Sequence, residues 1–136
     1  MIKILKLQPT HWQTMQRHVA EQAPLEACGL LVGKKDAVET VFRMRNAAQS
    51  PVRFRMDPQE QYDALMWIED NELDLVGIYH SHPSGPETVS ATDIAEAAYD
   101  AVHVIWSRTG QTWSARGFWI EAGQVTEVYI QIVSEQ

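Results

Sequence analysis

The chain has little cysteine, little positive charge and no long apolar runs. Cys28 is the single cysteine among 136 residues, which excludes an internal disulfide and fits a reducing compartment. Eleven Lys and Arg stand against 18 Asp and Glu, for a net charge of −7. That balance speaks against bulk nucleic-acid binding and against docking on an anionic membrane. No apolar run approaches the roughly 20 residues that span a bilayer. The opening MIKILKLQPTHW lacks the long apolar core of a secretory signal. The expectation is a cytoplasmic protein without nucleic-acid or membrane partners. Internal repeats and low-complexity segments are also missing. What remains is 45% hydrophobic and 21% charged, an ordinary globular composition, and the length suits one domain over residues 1–136.

Residues 2–7 roughly alternate apolar and polar and predict a short strand. A helix over PTHWQTMQRHVAEQAP follows, with Thr10 as its cap and Trp12, Met15 and Val19 on one face. ACGLLVGK reads as an apolar strand. AVETVFRMR and PVRFRMD read as two strands joined by NAAQS, with Arg43, Arg45, Arg53 and Arg55 alternating against Phe42, Met44, Phe54 and Met56. The strongest helix signal is DPQEQYDALMWIEDNE: Asp57 as N-cap, Pro58 in the first position, Glu60 closing a capping box, and Tyr62, Leu65, Met66 and Glu69 on one face. LDLVGIYH predicts a central strand buried on both faces. SATDIAEAAYD starts a capped helix, and AVHVIWS, TWSARGFWI and QVTEVYIQI are the last strands. The order predicts an α+β fold, with helices packed on a curved mixed β-sheet.

The segment HSHPSGPETVSATD, residues 80–93, carries the chemistry. Side chains two apart in a strand share a face, so His80 and His82 present two imidazoles side by side where Pro83 ends the strand. The same alternation puts Val76 and Ile78 on that face. Asp93 is the nearest carboxylate besides Glu87, in the first turn of a helix capped by Ser90, where the helix dipole favours an anion. Two imidazoles and a carboxylate suit zinc, with a fourth position left for water. Taken singly, SATD is a capping box and HSH two surface histidines. Glu26, in PLEACGLLVG, is the upstream candidate for a proton carrier, or else a solvated glutamate at a strand start.

Together, LEACGLLVG and GIYHSHPSGPETVSATD resemble the signature of the JAMM (MPN-plus) zinc metallopeptidases. That pattern is a glutamate, then His-Ser/Thr-His-Pro, then Ser-x-x-Asp, with seven residues between the second histidine and the serine. Pro83 to Val89 fill that gap. Many members have proline where this chain has Val89. The resemblance implies the MPN/JAB fold, which is cytidine-deaminase-like. It implies Zn2+ on His80, His82 and Asp93, Glu26 as general base and then acid, and Ser90 stabilising the oxyanion. It also implies cleavage of an amide or isopeptide bond after the C-terminal Gly-Gly of a ubiquitin-like or sulfur-carrier protein. Only residues 94–101 separate Asp93 from the strand at Val102, a compactness similar to prokaryotic members. Release of cysteine from a sulfur carrier is the narrower expectation, and a homodimer is left open.

Cys28, within an apolar strand, reads as a small buried hydrophobe. His11, His18 and His103 lack partners at ligand spacing and read as surface or packing residues. Trp113 and Trp119 read as core or sheet surface. The four arginines suggest a basic ridge, either a charged edge that resists sheet association or a dock for an acidic protein. The alternative function is a non-catalytic binding module for ubiquitin-like tails, against which Glu26 speaks. A nucleobase zinc deaminase is disfavoured because the His-x-Glu and Pro-Cys-x-x-Cys elements are missing.

Overall fold

The structure is a computed structural model and describes residues 1–134. In chain order its elements are β1 (Ile4–Leu7), α1 (Pro9–Gln22), β2 (Cys28–Lys34), β3 (Ala37–Met44), α2 (Pro58–Asp70), β4 (Asp74–His82), α3 (Ala91–Ala95), β5 (Val102–Thr109), β6 (Thr112–Glu121) and β7 (Gln124–Ile132). The strands form one mixed sheet in the order β1-β3-β2-β4-β5-β6-β7, which closes on itself through β1. The expected α+β architecture is present. β4 lies at the centre, antiparallel to β2 and parallel to β5, so His80 stands beside Cys28 on one side and Ile105 on the other.

Two apolar clusters cover the two faces of this sheet. On one, Met15 and Val19 of α1 pack with Leu31, Val76, Tyr79, Val104 and Trp106. On the other, Ala64 and Ile68 of α2 pack with Cys28, Leu30, Val32 and Ile78. Burying each Val, Leu, Ile or Met side chain among them is worth about 1.5–3 kcal/mol. Trp113 and Trp119 are core residues, and His11, His18 and His103 are buried as packing residues.

Local details differ from the sequence reading where a tertiary contact outbid a local pattern. Gln8, not Thr10, starts α1: its amide donates to His11 Nδ1 at 3.1 Å. Asp57 caps α2 through the amides of Gln59 and Glu60. The return half of the capping box is not made, because Glu60 accepts from the Arg45 amide instead. The buried stripe of α2 runs through Ala64 and Ile68, while Tyr62, Met66 and Trp67 are exposed. β1 begins at Ile4, and α3 is only five residues long.

Two corrections bear on the site. A β-bulge where Leu31 and Val32 face Gly77 and Leu75 turns Val76 to the α1 face. A single inserted residue reverses the alternation, so His80 and His82 share their face with Ile78 but not with Val76. PVRFRMD is not a strand. Residues 47–55 form an irregular arm, held at its neck by the lone bridge between Asn46 and Met56. The arginines therefore make no common face. Arg43 pairs with Glu21 at 3.3 Å, Arg45 with Asp57 at 2.9 Å, and Arg53 with Glu96 at 4.0 Å.

Candidate active site

The β4 alternation delivers three neighbouring side chains to opposite faces. His80 and His82 point towards α3, while Ser81 turns back and fixes β2. Its Oγ accepts from the Ala27 amide at 2.8 Å, and its amide donates to the Ala27 carbonyl at 3.1 Å. This clasp places Glu26, the preceding residue, beside the two imidazoles. Across the loop, Ser90 caps α3: its Oγ accepts from the Asp93 amide at 3.0 Å, and its own amide donates to Asp93 Oδ2 at 2.8 Å. The reciprocal box holds the Asp93 carboxylate towards β4 and leaves the Ser90 hydroxyl proton free to donate.

The resulting geometry is tight. His80 Nε2 and His82 Nε2 are 3.1 Å apart. Asp93 Oδ1 lies 3.2 Å from His80 Nε2, and Oδ2 lies 3.2 Å from His82 Nε2. Zinc bonds of about 2.0–2.1 Å put tetrahedral neighbours about 3.3–3.4 Å apart, so the three donors already stand near that spacing. Proton accounting points the same way. His82 Nδ1 faces the Pro86 carbonyl at 2.8 Å. A carbonyl only accepts, so Nδ1 carries the proton and Nε2 of neutral His82 bears a lone pair. That lone pair points at an Asp93 oxygen 3.2 Å away, a repulsion that a proton or a cation between them removes. The residues present fit a zinc ion.

Electrostatics separate the roles of the two acids. Burial works against Asp93 ionising, but the two imidazoles and the Ser90 amide outweigh it and hold the carboxyl well below its usual range. Burial pushes Glu26 up to about 7, with the neighbouring His82 pulling against it and Asp93 adding to it. Burial keeps His80 neutral. For His82 burial opposes protonation, yet Asp93 and the Pro86 carbonyl raise it overall. Glu26 also stands further back than Asp93. One oxygen of its carboxylate and a nitrogen of each imidazole nevertheless lie within 4.8 Å of one another. Cys28, fully buried with its thiol pushed by burial up to about 12, is inert.

Two cavities open on this cluster. One, of about 180 Å³, is lined by Glu26, His82, Pro51, Val52 and Pro86. The other, of about 280 Å³, is lined by His80, Asp93, Phe54, Met56, Tyr99 and His103. Phe54 stacks on His80 at 4.4 Å between ring centroids. The structure brings together all five residues singled out in the sequence. Ser81, Asn46 and Phe54 were not. Ser81 was legible as the inward position between two outward histidines, whereas nothing in NAAQS or PVRFRMD marks the other two.

Residues 8–120 match the family described as prokaryotic homologs of the JAB domain. The chain belongs to that family. It is 34% identical over 126 residues to a desampylase of Pyrococcus furiosus, covering 91% of this chain and 88% of the relative. A probable TtuB-protein conjugate cleaving protease of Thermus thermophilus is 37% identical over 108 residues, or 79% and 70% of the two chains. A CysO-cysteine peptidase of Mycobacterium tuberculosis is 33% identical over 125 residues, or 89% and 86%. A protein of Desulfitobacterium hafniense solved in solution superposes with a TM-score of 0.86 at 34% identity, covering 96% and 94%. In keeping with its curated relatives, this JAB-family chain is a hydrolase. Among the described residues, no helix is long and apolar enough to cross a membrane.

Proposed function

We propose that this JAB-family protein is a zinc-dependent peptidase of one domain. It would cut the amide or isopeptide bond after the C-terminal Gly-Gly of a ubiquitin-like or sulfur-carrier protein, in the cytoplasm. The observation that carries the proposal is the convergence of His80, His82 and Asp93 to within 3.2 Å, with the protonatable Glu26 behind them. The names of the three curated relatives support the substrate class. One is a desampylase, one is named for a TtuB-protein conjugate and one for a CysO-cysteine conjugate, so release of cysteine from a carrier is the finer alternative.

In this reading His80, His82 and Asp93 would hold the zinc, which would supply water activation and carbonyl polarisation. Glu26 Oε takes a proton from the attacking water and hands it to the leaving nitrogen. A carboxyl lifted to about 7 exchanges protons readily near neutrality. The free hydroxyl proton of Ser90 donates to the developing oxyanion. Delivery of the proton by Glu26 puts the leaving amine on the side of Glu26, Val52 and Pro86. The carrier tail then lies on the side of Asp93 and Phe54.

A non-catalytic tail-binding module is the competing reading, and the burial of Glu26 opposes it. A binder gains nothing from sinking a carboxylate beside two imidazoles. The test is turnover on carrier–lysine and carrier–cysteine conjugates, with zinc and after chelation. Zinc-dependent release of the free carrier supports a peptidase. Tail binding without turnover on any conjugate would leave only the binding module.

A further inference from the structure

Both backbone polar groups of Glu26 are committed to the arm at residues 47–55. Its amide donates to the Ser50 carbonyl at 2.9 Å. Its carbonyl accepts from Asn46 Nδ2 at 3.0 Å. Asn46 is buried and fills the inside of the arm. Its Nδ2 also donates to the Arg53 carbonyl at 3.1 Å, and its Oδ1 accepts from the amides of Ala48 and Arg55, each at 3.0 Å. An amide side chain has two donor hydrogens and two acceptor lone pairs, and here all four are used.

The next residue is tied the other way. Ala27 gives its amide and carbonyl to Ser81, between the two histidines. Glu26 is thus suspended between the histidine strand and the arm, and Asn46 is the link on the arm side. That arm supplies Pro51 and Val52 to one cavity and Phe54 to the other.

We propose that Asn46 is a positioning residue that locks the general base to the substrate-facing arm, so that the arm and Glu26 move as one unit. The proposal rests on the role of Glu26 given above, but the mechanical link can be read without turnover. Aspartate at position 46 keeps the acceptor for the Ala48 and Arg55 amides and removes the donors to the Glu26 and Arg53 carbonyls. Alanine removes both. With zinc, Asn46→Asp should lower kcat about 10–100-fold, the scale expected for a misplaced catalytic group, while KM and zinc affinity stay within about threefold. Asn46→Ala should add a rise in KM, because the arm loosens. A merely structural residue would instead lower folded fraction, zinc uptake and activity in parallel, with kcat per zinc-loaded molecule unchanged.

Amide exchange on the wild-type chain covers the case in which neither variant folds. The Glu26, Ala48 and Arg55 amides should open together, and before the amides of β4. Opening rates that differ more than about tenfold among those three would overturn the link, as would wild-type kcat in Asn46→Asp. Retained hydrolysis in Glu26→Gln would instead remove the base itself, and a shared opening of the three amides would survive that result.

Discussion

Replacing Glu26 by glutamine should stabilise the metal-free chain while crippling it as an enzyme, and the stability gain should grow with pH. Burial lifts the Glu26 carboxyl from its ordinary 4.5 to about 7. Below pH 4.5 it is protonated in both the folded and unfolded states and contributes no difference. Between 4.5 and 7 the unfolded chain releases the proton and the folded chain keeps it. Stability therefore falls as pH rises through this window and levels off above about 7. At 1.36 kcal/mol per pH unit the loss approaches about 3 kcal/mol, or roughly 10 °C in Tm for a chain of this size. Glutamine does not titrate, so the variant escapes the loss. The assay is denaturant unfolding of both chains in chelator from pH 4 to 8. Titrating groups remote from Glu26 are common to both chains and cancel in the difference. A variant-minus-wild-type difference that stays flat between pH 4.5 and 7 would refute the assignment of Glu26 as a buried, protonated acid. Turnover of the zinc-loaded variant should fall about 10²–10⁴-fold, and undiminished turnover would remove Glu26 from the mechanism.

Zinc at a hundredfold excess over its Kd should raise the unfolding free energy of the wild type by about 2.7 kcal/mol, and thermal scans of His82→Ala should show no such rise. Ser90→Ala deletes the cap of α3, at about 1 kcal/mol. It also deletes the proposed oxyanion donor, for about 10²–10³-fold in kcat; a stability loss without the kinetic one would confine Ser90 to capping. A Cβ added at Gly29 would run into the Tyr79 ring and the Phe42 carbonyl. Gly29→Ala should therefore cost at least about 1–3 kcal/mol by overpacking, read as a lowered Tm.

The centre of the fold was the most legible part of the sequence. The apolar run before His80 had no room for another reading than a buried strand, and its two-residue period set both histidines on one face. The Ser90–Asp93 box was equally plain, because its partners are three residues apart. What escaped depends on distant partners. Val76 sits on the opposite face from the one its spacing suggests, because a bulge is decided by how two strands meet. PVRFRMD has a strand's alternation, yet Asn46 takes the hydrogen bonds that a neighbouring strand would have supplied. Glu60 matches a capping box, but the Arg45 amide is a competing donor 15 residues away. Side chains from four separate stretches of chain meet at the site, and proximity of that kind carries no local signature.

The central place of β4 also sets the timing of metal supply. His80 and His82 share one face of β4, and the place of that strand is held by pairing with β2, some 50 residues earlier in the chain, and with β5, which follows it. In the proposed reading an ion would bind a frame already held by strand pairing and apolar packing, unlike the small metal-dependent folds that collapse without their ion. Scarcity and resupply of metal would then act on this protein as a reversible off-and-on control. The same molecule could wait, folded and silent, through many such cycles.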